Sequence, residues 1–367
     1  MHIGIDLLWV RPGICGGTES FIRNLMTGFA LYDKQNKYTL FVAEDNADSF
    51  KQYKENANMD LFVCKTKCAS QPKRILWENM HLDKTAQRQG IEVMFIPVYS
   101  KPHSNGKIPY VSVIHDLQAL HYPQYFSWAR RCFLKYSWKR TCKSSKLVLT
   151  DSDFCRNDLI KNYPDAKDKI RTQYVPIVSC DTSTDFAEIE EDLKIEQGKY
   201  FYCVSSLLPH KNLDTVLRVM KQWNGQEKLV LSGVGQDESE FVEKIRKYDV
   251  EDKVILTGFV SDDWRDCLYE HCKLFLFPSV FEGFGMPPIE AMRRGKRVVM
   301  TKESCLFEVT QGKAVYVDDP FDADEWVAKM QSVMGLEEEE VEFEAYKLQI
   351  VTEQHIKIFQ SCIVNIG

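Results

Sequence analysis

Residues 278–292 read Pro-Ser-Val-Phe-Glu-Gly-Phe-Gly-Met-Pro-Pro-Ile-Glu-Ala-Met. The apolar run Leu274–Pro278 before and into this stretch predicts a buried strand that stops at the proline. Gly283 and Gly285 then let the backbone turn sharply and approach a ligand closely. Pro287 and Pro288 cannot continue a helix but can open one, so a helix is predicted from Pro288 to Arg294, stopped by Gly295. This places Glu282 on a loop at the carboxyl end of a strand and Glu290 in the first turn of the next helix. In an open α/β sheet, ligands bind at that edge. Backbone N–H groups there suit a phosphate, and carboxylates suit sugar or ribose hydroxyls, which donate to them. The plainer reading is a tight turn, with Glu290 merely favoured by the helix dipole.

Outward from this stretch, short apolar runs alternate with helical patterns along the whole chain. Strands are expected at His2–Val10, Tyr38–Ala43, Ile91–Val98, Tyr110–His115 and Leu147–Thr150. Further runs fall at Tyr200–Ser205, Lys228–Ser232, Val254–Gly258, Arg297–Thr301 and Ala314–Val317. Helical patterns such as Asn212–Trp223 and Asp262–Cys272, the latter with Ser261 as its N-cap, lie between them. The fold class that follows is α/β, with two doubly wound parallel sheets covered on both faces. A length of 367 residues fits two domains. The polar stretch Ser179–Gly198 is the natural boundary, with the first domain running to about residue 180.

Composition narrows the function. Hydrophobic residues make up 44% and charged residues 27%, as in a soluble globular protein. A net charge of -6 argues against nucleic acid as the main partner. No run is long and apolar enough to cross a membrane. The opening MHIGIDLLWVRPG reads as a strand rather than a signal peptide, so a cytoplasmic chain is expected. The 12 cysteines include no C-x-x-C pair, and Cys64 and Cys68 have no answering pair, which favours free thiols in a reducing compartment.

Several other features invite two readings. His115 closes the apolar run Val111–His115, as a satisfied core histidine also would. Asp151-Ser152-Asp153 matches a D-x-D metal pattern. It also sits between a strand and a helix, where Asp151 or Ser152 is a natural N-cap, and capping is preferred. Gly233-Val-Gly235 follows a strand but lacks the third glycine of a dinucleotide fingerprint, which disfavours an NAD enzyme. Glu337–Glu340 reads as a solvated turn opening the last helix. Trp128–Leu147 holds seven cations, Arg130, Arg131, Lys135, Lys139, Arg140, Lys143 and Lys146, interleaved with aromatics. No acid lies between Asp116 and Asp151. It is either a helix lying on an anionic lipid surface or an ordinary helix with a solvated basic face.

The Glu282-x7-Glu290 stretch resembles the signature of glycosyltransferase family 4, whose members have the GT-B fold. Supporting stretches follow in the family's order: GGTESFIRNL from Gly16, VSVIHDLQALHYPQYF from Val111, SSLLPHKNL from Ser205 and LTGFVSDDW from Leu256. The resemblance implies two Rossmann-like domains facing a central cleft. Residues 1–180 would bind acceptor and residues 181–345 the nucleotide sugar. A last helix, around Tyr346–Cys362 within residues 346–367, would pack back on the first domain. It implies that Gly16 and Gly17 approach the donor phosphate, that His115 lies at the reacting centre, and that Lys211 neutralises the departing diphosphate. Glu282 with Gly283, Phe284 and Gly285 would hold the sugar hydroxyls, Glu290 the ribose, and Val260 would border the base. His115, Lys211 and Glu282 are thus the candidate catalytic residues.

The implied reaction transfers a hexose with retention of configuration, using neither metal nor cofactor. Mannose from GDP-mannose and a lipid-linked or growing cell-surface glycan acceptor fit the family, with the enzyme at the inner face of the cell membrane if the basic segment binds lipid. Two departures stand out. Ser205 replaces an arginine common in the family, a charge that His210 supplies only if protonated. Lys296-Arg297 replaces a usual proline. A sugar-nucleotide 2-epimerase on the same fold, and an inactive sugar-nucleotide-binding protein, are the alternatives.

Overall fold

The structure is a computed structural model, and it describes residues 1–178, 183–235 and 239–364. The chain divides into two compact units. One comprises Met1–Val178 with Glu344–Gly367, and the other Ser179–Phe343. Part of the polar stretch Ser179–Gly198 and the residues just after Gly235 lie outside the described residues. The rest of that stretch carries a short helix, Phe186–Leu193.

In the first unit seven parallel strands form one sheet: β1 (His2–Asp6), β2 (Lys37–Ala43), β3 (Met59–Cys64), β4 (Val93–Ile96), β5 (Tyr110–Val113), β6 (Leu147–Thr150) and β7 (Ile170–Thr172). Their order is β3-β2-β1-β4-β5-β6-β7, so the winding reverses between β1 and β4. Ile5 lies opposite Leu40 on one side and Phe95 on the other, and all three are fully buried. Strands covered on both faces become continuous apolar runs, which is why these were legible.

β3 and β7 were not expected from sequence. Both are edge strands, where exposure admits Asp60, Arg171 and Thr172 and breaks the apolar run. The last helix, Leu348–Val364, belongs to this unit and packs on the first helix, Gly17–Tyr32. Gly28 permits the contact, since a Cβ there would fall 2.0 Å from Thr352 Oγ1.

The second unit has six parallel strands: β8 (Tyr200–Val204), β9 (Lys228–Ser232), β10 (Val254–Gly258), β11 (Leu274–Phe277), β12 (Val298–Thr301) and β13 (Val315–Val317). Their order, β10-β9-β8-β11-β12-β13, reverses between β8 and β11. Phe201, Leu229, Leu276 and Trp326 anchor one side of its core. The helix after β11 runs Met286–Arg293, so Glu290 is in its second turn rather than its first.

The Glu337–Glu340 run does not open the last helix, which begins at Leu348. It is drawn instead to the basic pair that stands in place of the family's proline. Lys296 Nζ reaches Glu338 Oε1 at 2.6 Å, and the Arg297 guanidinium donates to Glu337 O at 2.8 Å.

Candidate active site

In the second unit the topology brings two loops together at the β8/β11 reversal. After β8, one turn of 3-10 helix at Pro209–Lys211 ends on Asn212, whose left-handed backbone (φ 52°) starts the next helix, Leu213–Gln222. After β11, Val280 N donates to His210 O at 2.8 Å and ties the loops. Lys211 Nζ then lies 2.6 Å from Glu282 Oε1, with 19% and 13% of the two side chains exposed. The Glu282 loop is fixed from behind. Glu282 N donates to Ser304 Oγ, and Cys305 Sγ donates to Glu282 O and Phe284 O. Gly285 turns the chain at φ 86°, where a Cβ would also sit 2.8 Å from Leu306 Cδ2.

His210 does not replace the missing arginine. It is 3% exposed, and burial followed by the Lys211 charge pushes its pKa down to about 4. Ser205 lies against Gly233 (φ 86°), where a Cβ would be 2.4 Å from Ser205 O. Val260 follows β10 just before Ser261, which caps the helix Asp262–His271 by accepting from Trp264 N. Phe259 beside it is 83% exposed.

Glu290 is held by groups on that same Asp262–His271 helix. Tyr269 OH donates to its Oε2 at 3.0 Å. Arg265 is buried against its own charge, yet Glu290, Tyr269, Asp262 and Asp266 together raise its pKa. Arg294 donates to Glu290 O at 3.0 Å and pairs with Asp266 Oδ2, also at 3.0 Å.

In the first unit, Gly16 caps the Gly17–Tyr32 helix at φ 55°, ψ -140°, a backbone state that glycine alone adopts easily. No atom would crowd a Cβ there, so the demand is on the backbone, not on space. One turn into that helix, the Phe21 ring meets the His115 ring edge-on at 5.3 Å. His115 Nδ1 lies 2.7 Å from Asp151 Oδ2, and Nε2 lies 3.0 Å from Pro97 O. Both partners are acceptors, so both nitrogens are satisfied only in the imidazolium. Burial opposes that charge, but Asp151 overrides it and the pKa is raised.

The D-x-D triplet is therefore committed. Asp151 orients His115, Ser152 caps the helix Asp153–Asn162 by accepting from Cys155 N, and Asp153 accepts from Thr172 Oγ1. Deeper in the same unit, Arg74 NH1 pairs with Glu78 Oε1 at 3.0 Å, beside Asp6 at the end of β1. Asp6 is 1% and Glu78 2% exposed. Burial raises both carboxyls. The Asp6 charge raises Glu78 further, and Arg74 holds each back.

Residues 15–177 match the Glycosyltransferase Family 4 model, and residues 185–349 match the model for Glycosyl transferases group 1. The chain belongs to glycosyltransferase family 4. Curated relatives of this family-4 chain include the O-antigen chain mannosyltransferase RfbU of Salmonella typhimurium, 27% identical over 61% of this chain and 60% of that one. The O-antigen chain mannosyltransferase B of Escherichia coli is 30% identical over 62% and 61%. The chain thus matches about three-fifths of the length of these relatives. Among solved structures, HepE of Anabaena in complex with UDP-glucose superposes with a TM-score of 0.69 at 18% identity, covering 100% of this chain and 99% of that one. That likeness shows the GT-B fold.

Of the residues singled out in the family-4 sequence, Gly16, Gly17 and His115 belong to the first unit, where Phe21 of the helix that Gly16 caps meets His115. Ser205, Lys211, Val260, Glu282, Gly283, Phe284, Gly285 and Glu290 lie at the carboxyl edge of the second sheet. Sequence reasoning missed Asp151 as the partner of His115, because the capping signal masked it. It also missed Tyr269 and Arg265, although their four-residue spacing put them on one helix face directly after the Val260 turn.

The basic segment forms the helix Trp128–Ser144, with Lys146 just beyond it. Arg130 turns onto Tyr99 OH at 2.8 Å, and Arg140 onto Asn79 Oδ1 at 2.9 Å. Lys135, Lys139, Lys143 and Lys146 remain exposed, as do Trp128 (73%) and Tyr136 (57%). Among the described residues, no helix is long and apolar enough to cross a membrane.

Proposed function

We propose that this chain transfers a hexose from a nucleoside diphosphate sugar to a hydroxyl of a growing or lipid-linked cell-surface glycan, with retention at the anomeric carbon and no metal requirement. The observation that carries the reading is the 2.6 Å contact between Lys211 and Glu282 over the β8/β11 reversal. An ion pair that stays partly open to solvent can exchange partners. The ammonium moves to the diphosphate oxygens as charge develops there, and Glu282 accepts from the sugar hydroxyls beside the backbone of Gly283, Phe284 and Gly285. With Ser205 uncharged and His210 neutral, Lys211 is the cation placed beside Glu282 for the leaving group.

Glu290 receives the ribose hydroxyls on Oε1 while Tyr269 fixes Oε2, and Val260 borders the base. Gly16 and Gly17 present helix N-terminal N–H groups to the donor phosphate. His115, whose pKa Asp151 raises, gives Nε2–H to the sugar by exchanging Pro97 O. Both curated relatives described above are mannosyltransferases, which favours mannose as the sugar, and hence GDP-mannose as the donor. The exposed Trp128, Tyr136 and lysines of the basic helix support a peripheral position at the anionic inner face of the cell membrane as part of this reading.

The test is a thermal-shift screen with GDP-mannose and UDP-glucose. A ligand at 100 times its Kd stabilises by about 2.7 kcal/mol. Glu290→Ala should weaken binding of the stabilising donor about ten- to hundredfold, from ~1.5–3 kcal/mol for a hydrogen bond to a charged group. Unaltered donor affinity in a folded Glu290→Ala protein removes Glu290 from the site. Donor turnover without any acceptor would instead indicate the epimerase.

A further inference from the structure

Beside the exposed face of the basic helix lies a pocket of about 360 Å³, wholly within the first unit. Lys101, His103, Tyr136, Lys139, Arg140 and Lys143 line it, and no carboxylate does. Lys101 is its floor. It is 4% exposed, donates to Pro102 O and Ser104 Oγ at 3.2 Å each, and sits 4.3 Å from the centroid of the Tyr110 ring. All of those partners are neutral.

Asp83 is the acid whose field supports Lys101, but its oxygens are already engaged. Tyr110 OH is at 3.0 Å, Gln87 Nε2 at 2.8 Å and Asn105 N at 3.2 Å. Arg140 gives one N–H to a neutral amide, Asn79. Burial, then Arg140, lowers the Lys101 pKa to about 8. Burial, then Arg140 and Lys101, also lowers that of His103. Both shifts come first from burial and then from neighbouring cations, and Asp83 offsets that of Lys101 only in part. A buried ammonium facing other cations is costly unless an anion joins them.

We propose that this pocket is a phosphate site, separate from the donor edge of the second unit, that takes a phosphate or diphosphate group. Arg140 offers the planar fork that matches phosphate oxygens, Lys101 the buried charge, and Lys139 and Lys143 the entrance. The same oxygens are presented by an acidic lipid headgroup and by a soluble phosphorylated compound.

Calorimetric titration of the full chain with inorganic pyrophosphate at low ionic strength tests the site. Binding should persist in Lys211→Ala, which disables the donor edge, and weaken at least about tenfold in Arg140→Gln. The Lys139→Gln/Lys143→Gln double variant changes exposed residues only, so its fold is safe, and it should weaken binding likewise. Loss of all pyrophosphate binding in Lys211→Ala overturns the proposal, as does binding that neither pocket variant alters. Vesicles of phosphatidylglycerol with phosphatidylcholine then separate the sources. If pyrophosphate at constant ionic strength releases the chain from them, the pocket holds a lipid headgroup. If the chain stays bound, or never binds them, the pocket serves a soluble phosphate.

Discussion

The carboxyl edges of the two sheets use charge in opposite ways. In the second unit Lys211 and Glu282 keep 19% and 13% of their side chains exposed, on loops that reach past the strand ends. In the first unit Asp6 and Glu78 are 1% and 2% exposed, and Arg74 between them 7%. A partly wet pair can trade its partner for a ligand at little cost. A dry one cannot, because each charge taken from its partner meets no water. The first arrangement suits chemistry, and the second fixes the loop after β1 that leads to Gly16. Substitutions at the two edges should therefore separate cleanly, with stability lost at one and turnover at the other.

The largest effect is expected at Arg74. Arg74→Ala leaves two buried carboxyls side by side without their cation. Breaking such a buried group should cost ~3–5 kcal/mol in urea unfolding. A midpoint unmoved from the parent's would mean that water reaches Asp6 and Glu78, and the contrast between the edges would collapse. Lys211→Ala should do the reverse. Turnover should fall about a hundredfold, as for loss of one group that stabilises departing charge. Donor affinity should fall less, and the melting temperature should stay within about 2 °C. A large drop in melting temperature with normal turnover of the folded fraction would make Lys211 a structural residue.

The same contrast explains what the sequence could be made to say. The central strands and the Glu282 loop were legible because each announces itself locally, as an apolar run, a glycine turn or a helix-opening proline. β3 and β7 were not, because an edge strand needs no apolar face on its open side. The chemistry at the second edge was legible because its residues fall in short motifs. The first edge depends on pairs distant in sequence. His115 meets Asp151 across 36 residues and Asp6 lies by Glu78, and no local pattern records either pairing. The phosphate pocket was half visible. The cations of Trp128–Ser144 were noted as a helix face, but Lys101 and His103 come from another loop, and only folding brings them to Arg140.

The smallest effect, and the one that most sharpens the comparison, is the pH dependence of the His115–Asp151 pair. The folded-state pKa of His115 lies above its ordinary value of 6.5, through Asp151 and against burial. A histidine raised in this way contributes stability that is fully present below about 6.5. That contribution is lost as pH rises through the higher folded value. Asp151→Asn removes the charge that raises it, so the variant should lack this component. Parent and variant should differ most near pH 6 and converge as pH rises past the folded value, by roughly 1.4 kcal/mol for each unit by which Asp151 raises the histidine. Following the His115 ring protons by NMR in both proteins gives the midpoint directly, and it should move down in the variant. If the stability difference is flat across that range, the imidazole is neutral. Its Nε2 then need not be the N–H donor to Pro97 O, and the exchange with a sugar oxygen proposed for it would lose its basis. A sloping difference with a shifted midpoint would show that the first edge holds a proton in place before any sugar arrives, as the second holds Lys211 against Glu282.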